Sequence, residues 1–322
     1  MLWLFTAIAS YLLLAVVVVG DAFLLKRAFP DPKLYAFSVG VLGLLVLLGT
    51  PFFGFPVPNM ETLFLALLAG VASLFGILVF YRGIKLYEAS RMAPATGGLL
   101  PLLTLVLGSI VASETRPVSE LHIIAITLLA VGTFAITLRR SVRRTFDGFG
   151  AALLAASLFA ILFVTSKVVY LRVSFWPGFL WVTIGIGVGA LALFAASSTL
   201  RRDVLARVRG ALARRPVAPP SSGSAGDEQT KHIGLLFLLN QFFGAASNIL
   251  QNLAVYLAPA GLVAAVPALQ GVEYLAVIGI TAVLAKRAPS ILAEGYRDGA
   301  LAVKLGAVVA IALGIALISF AS

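Results

Sequence analysis

The chain has 322 residues, of which 61% are hydrophobic and 11% charged, with mean hydropathy +1.05 and a formal net charge of +11. Soluble domains carry about a quarter charged residues, so no water-soluble core of this length could hide so much apolar surface. Cysteine is absent, which excludes disulfides and thiol chemistry and leaves the redox compartment undetermined.

A membrane-crossing helix needs roughly 20 apolar residues. Stretches of that kind, bounded by charges or Pro/Gly breaks, run in chain order over 3–25, 34–55, 62–81, 93–113, 119–138, 149–169, 174–197, 233–255, 260–284 and 300–320. The runs are continuous rather than alternating in ten-residue units, so a β-barrel is excluded and an all-α membrane protein of ten spans is expected. The first ten residues lack the basic region and small-residue cleavage site of a signal peptide, so the first span reads as retained.

Of the 24 Lys and Arg residues, 21 follow the first, third, fifth, seventh and ninth spans, and only Arg116, Lys167 and Arg172 fall on the other face. The positive-inside bias then makes the odd-numbered loops cytoplasmic and both termini external, in a multi-pass protein of the cytoplasmic membrane. Five spans per half turn the second half upside down relative to the first, the inverted-repeat plan of many secondary transporters, with halves expected over 1–140 and 147–322. Asp21-x4-Lys26 near the end of the first span lines up with Lys167-x4-Arg172 near the end of the sixth.

The one long connection, 198–231, opens with Leu200, Val204, Val208 and Leu212 at four-residue spacing against Arg201, Arg202, Arg207, Arg209 and Arg214. That pattern predicts a basic amphipathic helix on the inner membrane surface, followed by a Pro/Ser/Gly-rich linker over 216–227. Topology and anionic lipid account for the basic charge, so no nucleic-acid partner is expected. The partners expected are the lipid bilayer and a small-molecule substrate, with a homodimer left open.

Glu273 stands near the middle of the ninth span, where a charge costs about 2.5–3.5 kcal/mol on insertion scales and must face protein or water. Gln270 and Pro267 share its face, and Pro267 can free backbone carbonyls toward a cavity. Two readings stay open: a cavity-facing group for substrate or proton, or a protonated carboxyl packed against a neighbouring helix. The eighth span carries Asn240, Gln241, Asn248, Gln251 and Asn252, with Gln241, Asn248 and Asn252 on one helical face. These amides either line a wet cavity or join helices. Asp21 and Lys167, at equivalent places in the two halves, belong toward opposite membrane faces and are the candidates for coupling or gating. Pairing of Asp21 with Lys26 or Lys85 at the interface is the plainer alternative. Tyr81, Tyr87 and Tyr274 can stack on a substrate or anchor at the interface, and Trp3, Trp176 and Trp181 all fall near the outer boundary, as an aromatic belt would.

Pro101 in the fourth span, the Ser113-Glu114-Thr115-Arg116-Pro117 turn and the small-residue-rich fifth span resemble the drug/metabolite transporter superfamily, specifically its EamA-like ten-helix members. The resemblance covers nearly the whole chain through loose motifs. Ser113 stands where that family usually has glycine, Lys286 where a second glutamate would be expected, and the family's better-known members have cytoplasmic termini. The resemblance implies a central cavity between the first, third and fourth helices of each half, with Glu114 carried over from the turn motif. It implies a substrate such as an amino acid, a sugar, a nucleotide sugar, a lipid-linked sugar or a drug. By position, Glu114 also reads as a solvated helix-end partner of Arg116.

His122 and His232 have no metal-ligand spacing, and no nucleophilic triad or phosphate-binding loop is present, so neither an enzyme nor a cofactor is expected. The Gly185, Gly187 and Gly189 series lacks a preceding strand and reads as helix packing. The leading expectation is a secondary transporter working by alternating access, proton-coupled if Glu273 or Asp21 carries the ion. Its competitors are a flippase of a lipid-linked substrate and a non-transporting membrane scaffold or receptor.

Overall fold

The computed structural model describes residues 1–27, 31–87, 89–111, 120–137, 148–212 and 227–287, together with 306, 309–311, 313–315 and 317. Helices account for nearly all of them, and no strand occurs among the described residues. In chain order they are α1 (Leu2–Arg27), α2 (Pro32–Gly43), α3 (Thr50–Phe53), α4 (Met60–Tyr87), α5 (Ala89–Val111) and α6 (Glu120–Thr137). The second part holds α7 (Phe149–Arg172), α8 (Phe175–Ala196), α9 (Ser198–Leu212), α10 (Asp227–Leu257), α11 (Ala265–Ala268) and α12 (Gln270–Arg287). Among the described residues, six stretches are long and apolar enough to cross a membrane: Leu2–Asp21, Pro32–Phe53, Met60–Tyr87, Phe149–Arg172, Phe175–Ala196 and Ala260–Val277. The chain is therefore a multi-pass helical membrane protein.

Two of the expected spans are not single helices. The second begins as a capped helix: Asp31 accepts from the Lys33 amide at 2.9 Å and Pro32 takes the first turn, where its missing N–H costs nothing. It then tightens into a 3-10 segment over Leu44–Gly49, and α3 ends at Gly54, whose φ of +78° suits only glycine. The ninth breaks into a 3-10 turn at Ala260–Leu262, the single turn α11 and the longer α12. Pro259 and Pro267 each remove a backbone donor there. Non-helical backbone at membrane depth is tolerable only inside protein, and Leu262 through Leu269 are all buried. They sit in the largest apolar cluster, with Leu100, Leu129, Ala160 and Val255.

Small residues set the helix contacts. α1 runs antiparallel to α10, joined where Ser10 Oγ donates to the Ser247 carbonyl at 3.1 Å and Ser247 Oγ returns a bond to the Ser10 carbonyl at 2.9 Å. α4 packs along α7 and along α8. At the α4–α8 crossing a Cβ added to Gly185 would lie 2.7 Å from the Leu67 carbonyl and 3.1 Å from Gly70 Cα. The glycine series of α8 is thus a packing surface, as its sequence context suggests.

α9 has the amphipathic form read from its spacing. Leu200 is fully buried beside Leu34 and Leu193, Val204 packs against the same cluster, and Arg201, Arg202 and Arg209 are exposed; Arg207 is half-buried, and Val208, placed on the apolar face by the spacing, is exposed. Trp176 donates to the Gly54 carbonyl at 3.0 Å and Trp181 to the Pro56 carbonyl at 2.8 Å, so both hold the connector between α3 and α4. Trp3 departs from the belt expected of it: it is 3% exposed and belongs to the main core.

Candidate functional site

Among the described residues, Asp21, Lys167 and Glu273 are each the centre of a buried polar cluster. The first surrounds Asp21 near the end of α1. Its Oδ1 accepts from the Tyr35 hydroxyl of α2 and, at 2.6 Å, from the Asn240 amide of α10, while Oδ2 accepts from the Tyr81 hydroxyl of α4 at 2.7 Å. Gln241 adds a hydrogen bond to Tyr35, and the Tyr35 and Tyr81 rings meet edge-on at 4.8 Å. Three neutral donors converge on a carboxylate that is 6% exposed, tying four helices together. These partners of Asp21 are neutral hydroxyl and amide groups, and the side chain of Lys26, an alternative partner read from the sequence, lies outside the described residues.

The second cluster lies at the other end of α10. Lys167 Nζ of α7 donates to the carbonyls of Val255 at 3.1 Å, Tyr256 at 3.0 Å and Ala258 at 2.5 Å. These include acceptors that a helix leaves open in its last turn, so the ammonium caps α10 where its partial negative charge accumulates. Tyr170 donates to Asn252 Oδ1 at 2.9 Å, and the Asn252 amide donates to Asn248 Oδ1 at 2.9 Å. Asn240 and Val255 are fifteen residues apart on one helix, about 22 Å at 1.5 Å per residue, so Asp21 and Lys167 hold α10 at well-separated points. Between α7 and α10 a narrow cleft is lined by Leu162, Phe163, Ser166, Gln251, Asn252 and Val255.

The third cluster is built on the break in the ninth span. Glu273 occupies the first turn of α12, not the middle of a continuous helix, and is 3% exposed. Gln270 hydrogen-bonds its side chain, yet Glu273 Oε2 and Gln270 Oε1 are buried without a hydrogen-bond partner among the described residues. Gly97 of α5 closes over this turn: a Cβ there would lie 3.0 Å from the Tyr274 hydroxyl and 3.3 Å from Gln270 Oε1. Tyr11 of α1 is within electrostatic range of Glu273 and hydrogen-bonded to Gln251, which links this cluster to the cleft.

The residues singled out in the sequence therefore distribute over three places. Glu273, Gln270 and Tyr274 come together at the break. Asn240 and Gln241 belong with Asp21, and Asn252 belongs with Tyr170 near Lys167. Asn248 is exposed on α10 and accepts from Asn252, while Gln241 of the same sequence face is joined to Tyr35 in the Asp21 cluster. Glu114 lies outside the described residues. Sequence reasoning passed over Tyr11, Tyr35, Tyr170 and Ser166. Tyr11, well inside the first span, was a signal that could have been read, whereas Tyr35 and Tyr170 stand at span ends, where tyrosines ordinarily anchor.

This is a multi-pass helical membrane protein in which, among the described residues, Asp21, Lys167 and Glu273 are buried. No family model matches the chain, and no curated protein matches it. A solved structure described only as the crystal structure of a protein is similar over the whole length, with a TM-score of 0.62 at 14% identity, covering 99% of each chain. At that identity the likeness shows a shared fold alone.

Proposed function

We propose that the protein is a secondary transporter that carries a small solute across the cytoplasmic membrane by alternating access, coupled to protons through Glu273. The carrying observation is that carboxyl: buried, unpartnered at Oε2 among the described residues, and seated where a spanning helix is broken. Ionisable groups inside membrane segments mark solute or ion pathways, and broken helices at mid-membrane are where transporters build their sites. Asp21 and its three donors act as a gate at the cytoplasmic end, and Lys167 fixes α10 at the other.

Ten spans in two inverted halves, with both termini outside, belong to the same reading. Helix pairing supports it: α1 against α10 and α7 against α4 are the same pairing with the halves exchanged, and α2 pairs with α8, its own counterpart. The helical residues between 306 and 317 stand where a tenth span would lie. The resemblance to EamA-like transporters points the same way.

Purified protein in proteoliposomes, given a metabolite library and an imposed pH gradient, is expected to accumulate at least one solute. Glu273→Gln should abolish gradient-driven accumulation while leaving equilibrium exchange, because a permanently neutral side chain still fits but cannot cycle. Flux through neither protein would return the polar clusters to the role of helix glue.

A further inference from the structure

α9 has two apolar faces, of which protein covers one. Leu200 and Val204 turn inward onto Leu34 and Leu193, and Lys33 Nζ donates to Ser197 Oγ at 3.1 Å, so α9 is fastened to α2 and α8 just where α8 ends. A four-residue step advances about 40° around a helix of 3.6 residues per turn, which carries Val208 off that covered face. It joins Leu205 instead, and the two are 49% and 47% exposed. Around the helix, Val208, Arg201, Leu205, Arg209 and Arg202 follow one another within about 120° of arc. All five are exposed. Asp203, the acidic residue of α9, stands about 100° beyond Arg202, outside that arc.

We propose that this outer face of α9 is a binding surface for anionic phospholipid, with Arg202 and Arg209 on the headgroup phosphates and Leu205 and Val208 among the acyl chains. Water satisfies the arginines but not the aliphatic side chains set between them. The membrane boundary satisfies both, because basic side chains reach the headgroups while their apolar neighbours enter the acyl region. Charge selects the lipid: clustered arginines attract a net negative headgroup, whereas the phosphate of phosphatidylcholine already has its own ammonium beside it. Arg201 has a second duty, since its Nη1 donates to the Ala195 carbonyl of α8 at 2.7 Å and so fixes the arc relative to that span. Arg207 is half-buried on the inner side and takes no part. Lipid held here sits behind α2, in which Leu34 packs against α9 and the next residue, Tyr35, donates to Asp21. Nothing in this surface depends on the transporter reading of the polar clusters.

Full-length protein in nonionic detergent is titrated with dioleoyl-phosphatidylglycerol and with dioleoyl-phosphatidylcholine, and bound lipid is counted by native mass spectrometry. Phosphatidylglycerol is expected to bind about tenfold more tightly, since each arginine near an anionic headgroup contributes severalfold. Arg202→Gln together with Arg209→Gln, both at exposed positions, should bring the two lipids within about twofold of each other. Leu205→Ser together with Val208→Ser should weaken both lipids and keep their ratio. Arg82→Gln together with Lys85→Gln removes the same charge from exposed positions near the end of α4 and should leave the preference in place. Equal binding of the two lipids, a preference that survives the loss of Arg202 and Arg209, or an equal loss from the α4 pair would each overturn the assignment. Displacement of phosphatidylglycerol by free glycerol 3-phosphate would overturn it as well, by reducing the surface to a site for soluble phosphate.

Discussion

At the scale of single residues, the interior is organised by which polar atoms are satisfied. Asp21 has three donors, Lys167 has three carbonyls, and Glu273 Oε2 has no hydrogen-bond partner among the described residues. Hydrogen bonds to a charged group are worth about 1.5–3 kcal/mol in water-soluble proteins, whereas interhelical bonds in membranes average about 0.6 kcal/mol. Asn240→Leu and Tyr81→Phe, each removing one donor from Asp21, should therefore lower stability in detergent by about 1–2 kcal/mol. Because both act on one carboxylate, the double variant should depart from the sum by about 0.5 kcal/mol or more. Strict additivity in unfolding measurements would mean that the carboxylate does not bind these helices as a network. Asp21 and Glu273 were visible in the sequence because a charge in an apolar run is conspicuous. Gln270, on the same face as Glu273, was legible too; that Tyr35, Tyr81 and Asn240 converge on Asp21 was not, since they come from three other spans and only packing brings them together.

At the scale of helices, the limits of the sequence lie in the uniformity of its apolar runs. A helix that is hydrophobic on every side carries no periodic signal to mark where it bends, so 34–55 and 260–284 each read as one span. Punctuation was nevertheless present in Gly49, Pro51, Pro259 and Pro267. Pro267 was read as a source of free carbonyls, but the break it accompanies moves Glu273 from mid-helix to a first turn. The amphipathic α9 was legible because its charges do alternate with its apolar face. The α4–α8 crossing makes a sharp prediction of its own. A Cβ on Gly70 would strike the Val182 carbonyl, the Ile186 amide and Gly185, all backbone atoms that cannot rotate away. Gly70→Val should destabilise by about 1–3 kcal/mol or prevent folding. Gly150→Ala, with no described atom within 4 Å of its Cβ, should be neutral or mildly stabilising. Equal melting shifts for the two would refute the close approach of α4 and α8.

At the scale of the molecule, orientation follows from where basic residues accumulate, and the absence of cysteine makes it directly measurable. Phe55→Cys, in the exposed connector before α4, should react with a membrane-impermeant maleimide from outside intact cells. Arg202→Cys, exposed on α9, should react only after the membrane is opened. The reverse pattern would invert the topology and move the Asp21 network to the external face. The helical, membrane-spanning character was plain from composition, while the sorting of polar residues into three clusters required three-dimensional placement. The arrangement of the tryptophans carries an optical consequence. The chain has only three, and they divide cleanly: Trp176 and Trp181 grip the α3–α4 connector, and Trp3 is embedded in the same apolar cluster as the broken segment Leu262–Leu269. Intrinsic fluorescence therefore has two spatially separate sources, and replacing Trp176 and Trp181 by Phe leaves a single emitter whose wavelength reports the hydration of the apolar cluster that holds the break.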